Sequence, residues 1–164
     1  MSAPDNRKVY DASWEDWQYI KEHGPMSRHT RRLVFRELAR LSMSSLLDVG
    51  CGPGVFLEHV ARRFPAARLA GFDISDAGVE IARRRVPSAE FYVADAAAGV
   101  AGGPYDVVTM IDVAEHIEDD ESAFRGLVPV CGGHFVVCTL EGTMRPFEPE
   151  IGHVRNYAIG IASG

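Results

Sequence analysis

The segment Leu46-Leu47-Asp48-Val49-Gly50-Cys51-Gly52-Pro53-Gly54-Val55-Phe56-Leu57 constrains the fold more than any other. A short apolar run enters three glycines at alternate positions and leaves through residues at helical spacing, so a buried strand must bend sharply into a helix. Glycine loses more conformational freedom on folding than any other residue, and three together indicate a bend that admits something close to its backbone. A dinucleotide fingerprint sets its third glycine one residue later, where Val55 stands, and nothing here matches a phosphate-binding P-loop. Asp48, just ahead of the bend, suits a ligand carrying an ammonium or hydroxyl group and repels a pyrophosphate.

The rest of the chain repeats the same alternation. Strands are predicted at Ser45–Val49, Arg68–Ile74, Glu90–Ala94, Tyr105–Ile111 and Gly133–Cys138. Helices are predicted at Val55–Phe64, at Asp76–Arg85 behind a Ser75 cap, and at Asp120–Val128. Ahead of them, Ser27–Ser42 spaces Val34, Phe35, Leu38 and Leu41 as an amphipathic helix whose arginines, Arg28, Arg31, Arg32, Arg36 and Arg40, are expected to face solvent. Alternation of this kind implies right-handed crossovers and an α/β, doubly wound, mostly parallel Rossmann-like sheet, whose ligands bind beyond the carboxyl ends of the strands.

Two more acids end strands on that rim. Asp73, in Gly71-Phe72-Asp73-Ile74-Ser75, comes nineteen residues after Gly54, where a carboxylate can accept both hydroxyls of a ribose. Asp95, in Val93-Ala94-Asp95-Ala96, is placed to accept from an adenine amino group, with Ile74 and Ala96 covering the ring. Each acid alone is equally a helix cap or an exposed loop residue. Seventeen Lys and Arg against twenty-three Asp and Glu leave a net charge of −6, which disfavours extended nucleic acid as a partner. Cys51, Cys131 and Cys138 show no CxxC spacing and read as reduced packing residues. The polar start and the lack of a long apolar run lead to the expectation of a cytoplasmic protein with no membrane span.

Taken together, LLDVGCGPG, GFDIS, VADA, YDVVTMIDVAEH and GGHFVVCT resemble, in order and over roughly Leu46 to Thr139, the class I S-adenosylmethionine-dependent methyltransferases. The resemblance implies that Gly50, Cys51, Gly52 and Gly54, with Asp48, hold the methionine part of that cofactor. It also implies that Asp73 and Ile74 hold the ribose, Asp95 and Ala96 the adenine edge, and Ile111 the amino acid end through its backbone. Arg28 or His29 is a looser assignment to the cofactor carboxylate.

Methyl transfer from a sulfonium is an in-line displacement that needs orientation more than a covalent nucleophile, with a base where the acceptor is a hydroxyl. Asp112, Glu115 and His116 follow the fourth strand with D-x-x-E-H spacing, which one helical turn would bring together. Similar E-x-x-E-H triads bind a divalent ion in some small-RNA and quinone-pathway O-methyltransferases; in this chain His153 is a further candidate ligand if the tail folds back. The shorter Asp112 departs from that pattern, so no metal ligand is assigned, and His116 with Glu115 is taken as the proton-handling pair.

The organisation expected is one methyltransferase-like domain over 1–164, with an aromatic arm at 1–25, a cofactor-binding core at 26–139 and a short tail at 140–164. Tyr10, Trp14 and Trp17 either close over cofactor and acceptor as a lid or simply pack on the sheet. The tail shows no strand hairpin to follow the fifth strand, whose open edge then implies a shortened enzyme or a homodimer covering it. The function expected is methyl transfer to an oxygen or nitrogen of a small molecule. The alternative is a cofactor-binding module with lost or partner-dependent catalysis, and an NAD-dependent oxidoreductase is disfavoured by the glycine spacing.

Overall fold

The computed structural model describes residues 6–98, 100 and 102–158. The start of the expected arm and the last six residues of the tail, 159–164, lie outside the described residues. Five strands, β1 (Ser45–Val49), β2 (Arg68–Asp73), β3 (Glu90–Val93), β4 (Tyr105–Ile111) and β5 (Cys131–Cys138), form one parallel sheet in the order β3-β2-β1-β4-β5. The order reverses direction between β1 and β4, which opens a crevice at their carboxyl ends.

Burial explains why adjacent positions of β1 carry apolar residues without polar alternation. Leu46 packs with Val34 and Leu38 of α2 (Pro25–Leu38), Leu57 and Val60 of α3 (Val55–Arg63), and Val79 and Ala82 of α4 (Asp76–Arg85). Leu47 and Val49 point the other way, into a cluster with Val108, Met110 and Leu127 of α5 (Asp120–Leu127). A sheet covered on both faces in this way requires strands apolar on both sides. Ser75 caps α4 as its sequence position suggests, its hydroxyl accepting from the Gly78 amide at 3.0 Å. The β5 edge is the exception to this coverage, with Phe135 and Val137 partly exposed. No helix among the described residues is long and apolar enough to cross a membrane.

The arm is a regular helix, α1 (Asn6–His23), laid across the end of the sheet. Several contacts hold it there. The Asp11 carboxylate accepts from the Ser75 hydroxyl at 2.5 Å and the Ala77 amide at 3.2 Å, Arg7 pairs with Asp76, and Arg85 bridges Glu22 and Glu58 at 3.1 and 2.9 Å. Arg31, expected on a solvated face, instead donates to the carbonyls of Lys21 and Glu22 at 2.6 Å each, in the last turn of α1 where backbone acceptors lack helical partners.

Candidate active site

A cavity of about 860 Å³ lies beyond the carboxyl ends of β1 to β4, within the size range of sites that bury a cofactor or drug-sized ligand. Asp48, Gly50, Cys51 and Gly52 line it from β1 and the bend, Asp73 and Ile74 from β2, and Asp95 and Ala96 from the end of β3. Ile111, Glu115 and His116 line it from beyond β4, and Trp14 from α1. Arg28, its alternative His29, and Gly54, all assigned from the sequence, fall outside that lining. Arg28 is exposed, and Arg31, one turn on, is the α2 arginine that faces the cavity. Gly54 is the left-handed N-cap of α3 (φ 74°), and a Cβ there would stand 2.9 Å from the Cβ of Ala82, so this glycine serves close packing of α3 on α4.

The three acids are held differently. Asp48 is buried and accepts from the Thr109 hydroxyl at 2.7 Å, and burial pushes its carboxyl up to about 7 despite that bond. Asp73 is also buried. Its two oxygens accept from the Gly52 and Ser75 amides at 2.8 and 2.9 Å, and burial raises its pKa while both amides pull it down. The bend and α4 are thereby tied to one carboxylate. Asp95 is exposed and caps the short turn at Ala96–Ala98 by accepting from the Ala97 amide at 2.9 Å, while still facing the cavity.

At the other end, Ala114–His116 forms a 3₁₀ turn rather than the expected helical turn. Asp112 before it is left-handed (φ 54°), and its carboxylate faces Lys21 Nζ of α1 at 3.4 Å. The chain after β5 folds back instead: the His153 amide donates to the Glu148 carbonyl at 3.0 Å and the Val154 amide to the Glu115 carbonyl at 2.8 Å. Donor atoms of Glu115, His116 and His153 consequently lie within 4.8 Å of one another, a set without Asp112. Glu115 is buried, accepts from the Thr139 hydroxyl at 2.8 Å, and has its pKa raised by burial. His116 Nδ1 lies 3.1 Å from the Gly152 carbonyl, and burial pulls its pKa down to about 4. A carbonyl at Nδ1 fixes the neutral tautomer with the proton there, leaving the lone pair on Nε2.

Tyr10 completes this end. Its ring meets His116 edge-on at 5.7 Å, and burial, with the charges of Asp73 and Glu115, raises its pKa. Tyr10, Trp14 and Trp17 pack against one another over the cavity, Trp14 stacked on Tyr10 at 5.8 Å. The turn carbonyl of Gly152 and the inward Arg31 carry no sequence signal of their own, because both depend on which segment folds over the cavity.

A family model described as a methyltransferase domain matches residues 26–145. The trans-aconitate 2-methyltransferase of Afipia carboxidovorans is 33% identical over 116 residues, covering 71% of this chain and 45% of that protein. The dTDP-4-amino-2,3,4,6-tetradeoxy-D-glucose N,N-dimethyltransferase of Saccharopolyspora spinosa is 36% identical over 114 residues, 66% of this chain and 41% of the other. The chain thus spans less than half the length of these relatives. Among solved structures, the N-methyltransferase NodS from Bradyrhizobium japonicum, in complex with S-adenosyl-L-homocysteine, superposes with a TM-score of 0.72 at 21% identity over 81% of this chain and 72% of its own. The magnesium protoporphyrin IX methyltransferase ChlM from Synechocystis gives 0.70 at 21% identity over 84% and 72%. The glycine bend, the acids ending successive strands and the matching domain agree: the chain belongs to the class I S-adenosylmethionine-dependent methyltransferases.

Proposed function

We propose that the chain binds S-adenosylmethionine in this cavity and directs its methyl group to an oxygen or nitrogen of a small-molecule acceptor held between α1 and the segment after β5. One observation carries the reading: a single cavity joins the acid-lined glycine bend at one end to the Glu115–His116–His153 cluster at the other. The residues fit the cofactor. Asp48 is a buried carboxylate beside the bend, suited to an ammonium, and Asp73 is preorganised by two backbone amides to accept a ribose diol. Asp95 and Ala96 take the adenine edge, Ile74 covers the ring, and Ile111 lies at the amino acid end. Arg31 is the α2 arginine at the cavity, but its guanidinium is turned onto the Lys21 and Glu22 carbonyls, so neither it nor Arg28 is assigned to the cofactor carboxylate.

When bound, the cofactor supplies a methyl carbon activated by a positively charged sulfur. The chain's own contribution is alignment, exclusion of water by the α1 aromatics, and removal of the acceptor's proton. His116 is neutral through the physiological range and presents Nε2 as the proton acceptor, while Glu115 beside it steadies the positive charge that His116 gains. The cluster is assigned to proton handling; two imidazoles and one carboxylate are also a set that holds zinc, and removal of divalent ions with a chelator separates the two roles. His116→Gln tests the assignment: formation of S-adenosylhomocysteine falls roughly 100-fold or more with cofactor affinity unchanged, and full activity in that variant refutes the role.

A further inference from the structure

The mouth of the cavity carries large apolar side chains in contact with water. Ile20 of α1, Met26 of α2 and Phe147 of the segment after β5 all line it and are 60%, 67% and 50% exposed. Scattered exposed apolar residues need no explanation, but three converging on one opening mark a surface shaped for an apolar partner. Tyr10 and Trp17, packed edge to face, line the same cavity and add aromatic surface to it.

The charges point the same way. Of the cations lining the cavity among the described residues, Lys21 faces Asp112 and Arg31 is turned onto two carbonyls of α1. Arg145 is exposed; its amide, not its guanidinium, donates to the buried Glu148, whose carboxylate also accepts from Asn156. Glu115, Glu118, Asp119 and Glu148 line the same end. A polycarboxylate entering here would meet the Arg145 guanidinium alone against four carboxylates, too few cations to replace the water it leaves. An ammonium would be held by these acids in its protonated state, which has no lone pair to accept a methyl group.

We propose that the acceptor is an uncharged, predominantly apolar aromatic alcohol that enters between Ile20, Met26 and Phe147, unlike the trans-aconitate for which one relative is named. The inference rests on the function proposed above and narrows it to O-methylation. As the acceptor oxygen bonds to the methyl carbon, the C–S bond breaks with its electron pair left on sulfur, giving a neutral thioether, and the hydroxyl proton passes to His116 Nε2 and then to solvent.

The test uses the whole chain loaded with S-adenosylhomocysteine, 2-naphthol as the neutral probe, and tryptophan fluorescence as the readout, since Trp14 and Trp17 line the cavity. The naphthol is expected to bind saturably, millimolar trans-aconitate to leave that binding unchanged, and Phe147→Glu to weaken it about tenfold or more. Displacement of the naphthol by trans-aconitate, absence of naphthol binding, or an unaffected Phe147→Glu variant overturns the inference. Calorimetry of S-adenosylhomocysteine on the same samples separates the two claims. Intact cofactor binding with no naphthol binding sinks only the acceptor class, whereas loss of cofactor binding in the unmodified chain sinks the proposed function with it.

Discussion

The indole of Trp14 lies against the bare Cα of Gly52, where a Cβ would stand 2.7 Å from Trp14 Cη2. Gly52 is also left-handed (φ 49°), so any side chain there is strained before it meets the ring. Gly52→Ala is expected to lower stability by about 1–3 kcal/mol and to weaken cofactor binding. Urea denaturation and calorimetry measure the two effects. Adding Trp14→Ala should recover only the part of the loss due to contact, leaving the backbone strain.

Asp73 joins the bend to α4 through two amides, so its replacement acts on both the ligand and the scaffold. Asp73→Asn keeps the shape and loses the charge, and should reduce cofactor affinity by roughly 10- to 100-fold. Calorimetry returning the parental affinity would remove Asp73 from the ribose site.

Asp48 gives the pH dependence. Its folded pKa, near 7, lies above the ordinary carboxylate value, so the folded chain binds the extra proton between about 4 and 7. Its contribution to stability is therefore complete below about 4 and is lost as pH rises through 7. Binding of a cationic cofactor favours the ionised form, so affinity should climb from pH 6 to pH 8 with release of a proton. Titrations in two buffers of different ionisation enthalpy detect that proton, and Asp48→Asn should abolish both the climb and the release.

His116 has the opposite sign. Its folded pKa of about 4 lies below the free value of about 6.5, so the unfolded chain takes the proton first on acidification. Stability should decline as pH falls from 6.5 towards 4, and a His116→Gln variant should lose that part of the slope in thermal melts. Activity treated with a chelator and dialysed should match untreated activity, since the cluster is read as a proton acceptor; loss restored by added divalent ion contradicts that reading.

The latch on α1 is separable from the cavity. Asp11→Ala removes the acceptor for the Ser75 hydroxyl and Ala77 amide without touching the lining, so dissociation of S-adenosylhomocysteine in stopped flow should speed up severalfold. An unchanged rate means that α1 does not have to move for exchange.

The parallel core was legible because its signals are local. Strand ends at Val49 and Ile111, the Ser75 cap and the glycine bend each depend on a few adjacent residues, and the parallel pairing follows from the alternation. The site was legible where it stands on those strand ends. It was not legible where a distant segment decides. α1 reads as an aromatic arm because its buried side, Trp14 with Tyr10, meets the cavity and not a conventional core. Arg31 looks solvated until the last turn of α1 arrives to accept from it. Asp112 fits a helical triad until its left-handed backbone turns it towards Lys21, and Gly54 looks like a ligand contact until Ala82 is placed against it.

That last contact extends the reach of the site to a helix that never borders it. Ala82 is wholly enclosed, and a bulkier side chain there has to push α4 outward from α3. Ser75 and the amide that grips Asp73 ride on the start of α4, so a methyl group added far from the chemistry would be read out as a misplaced ribose.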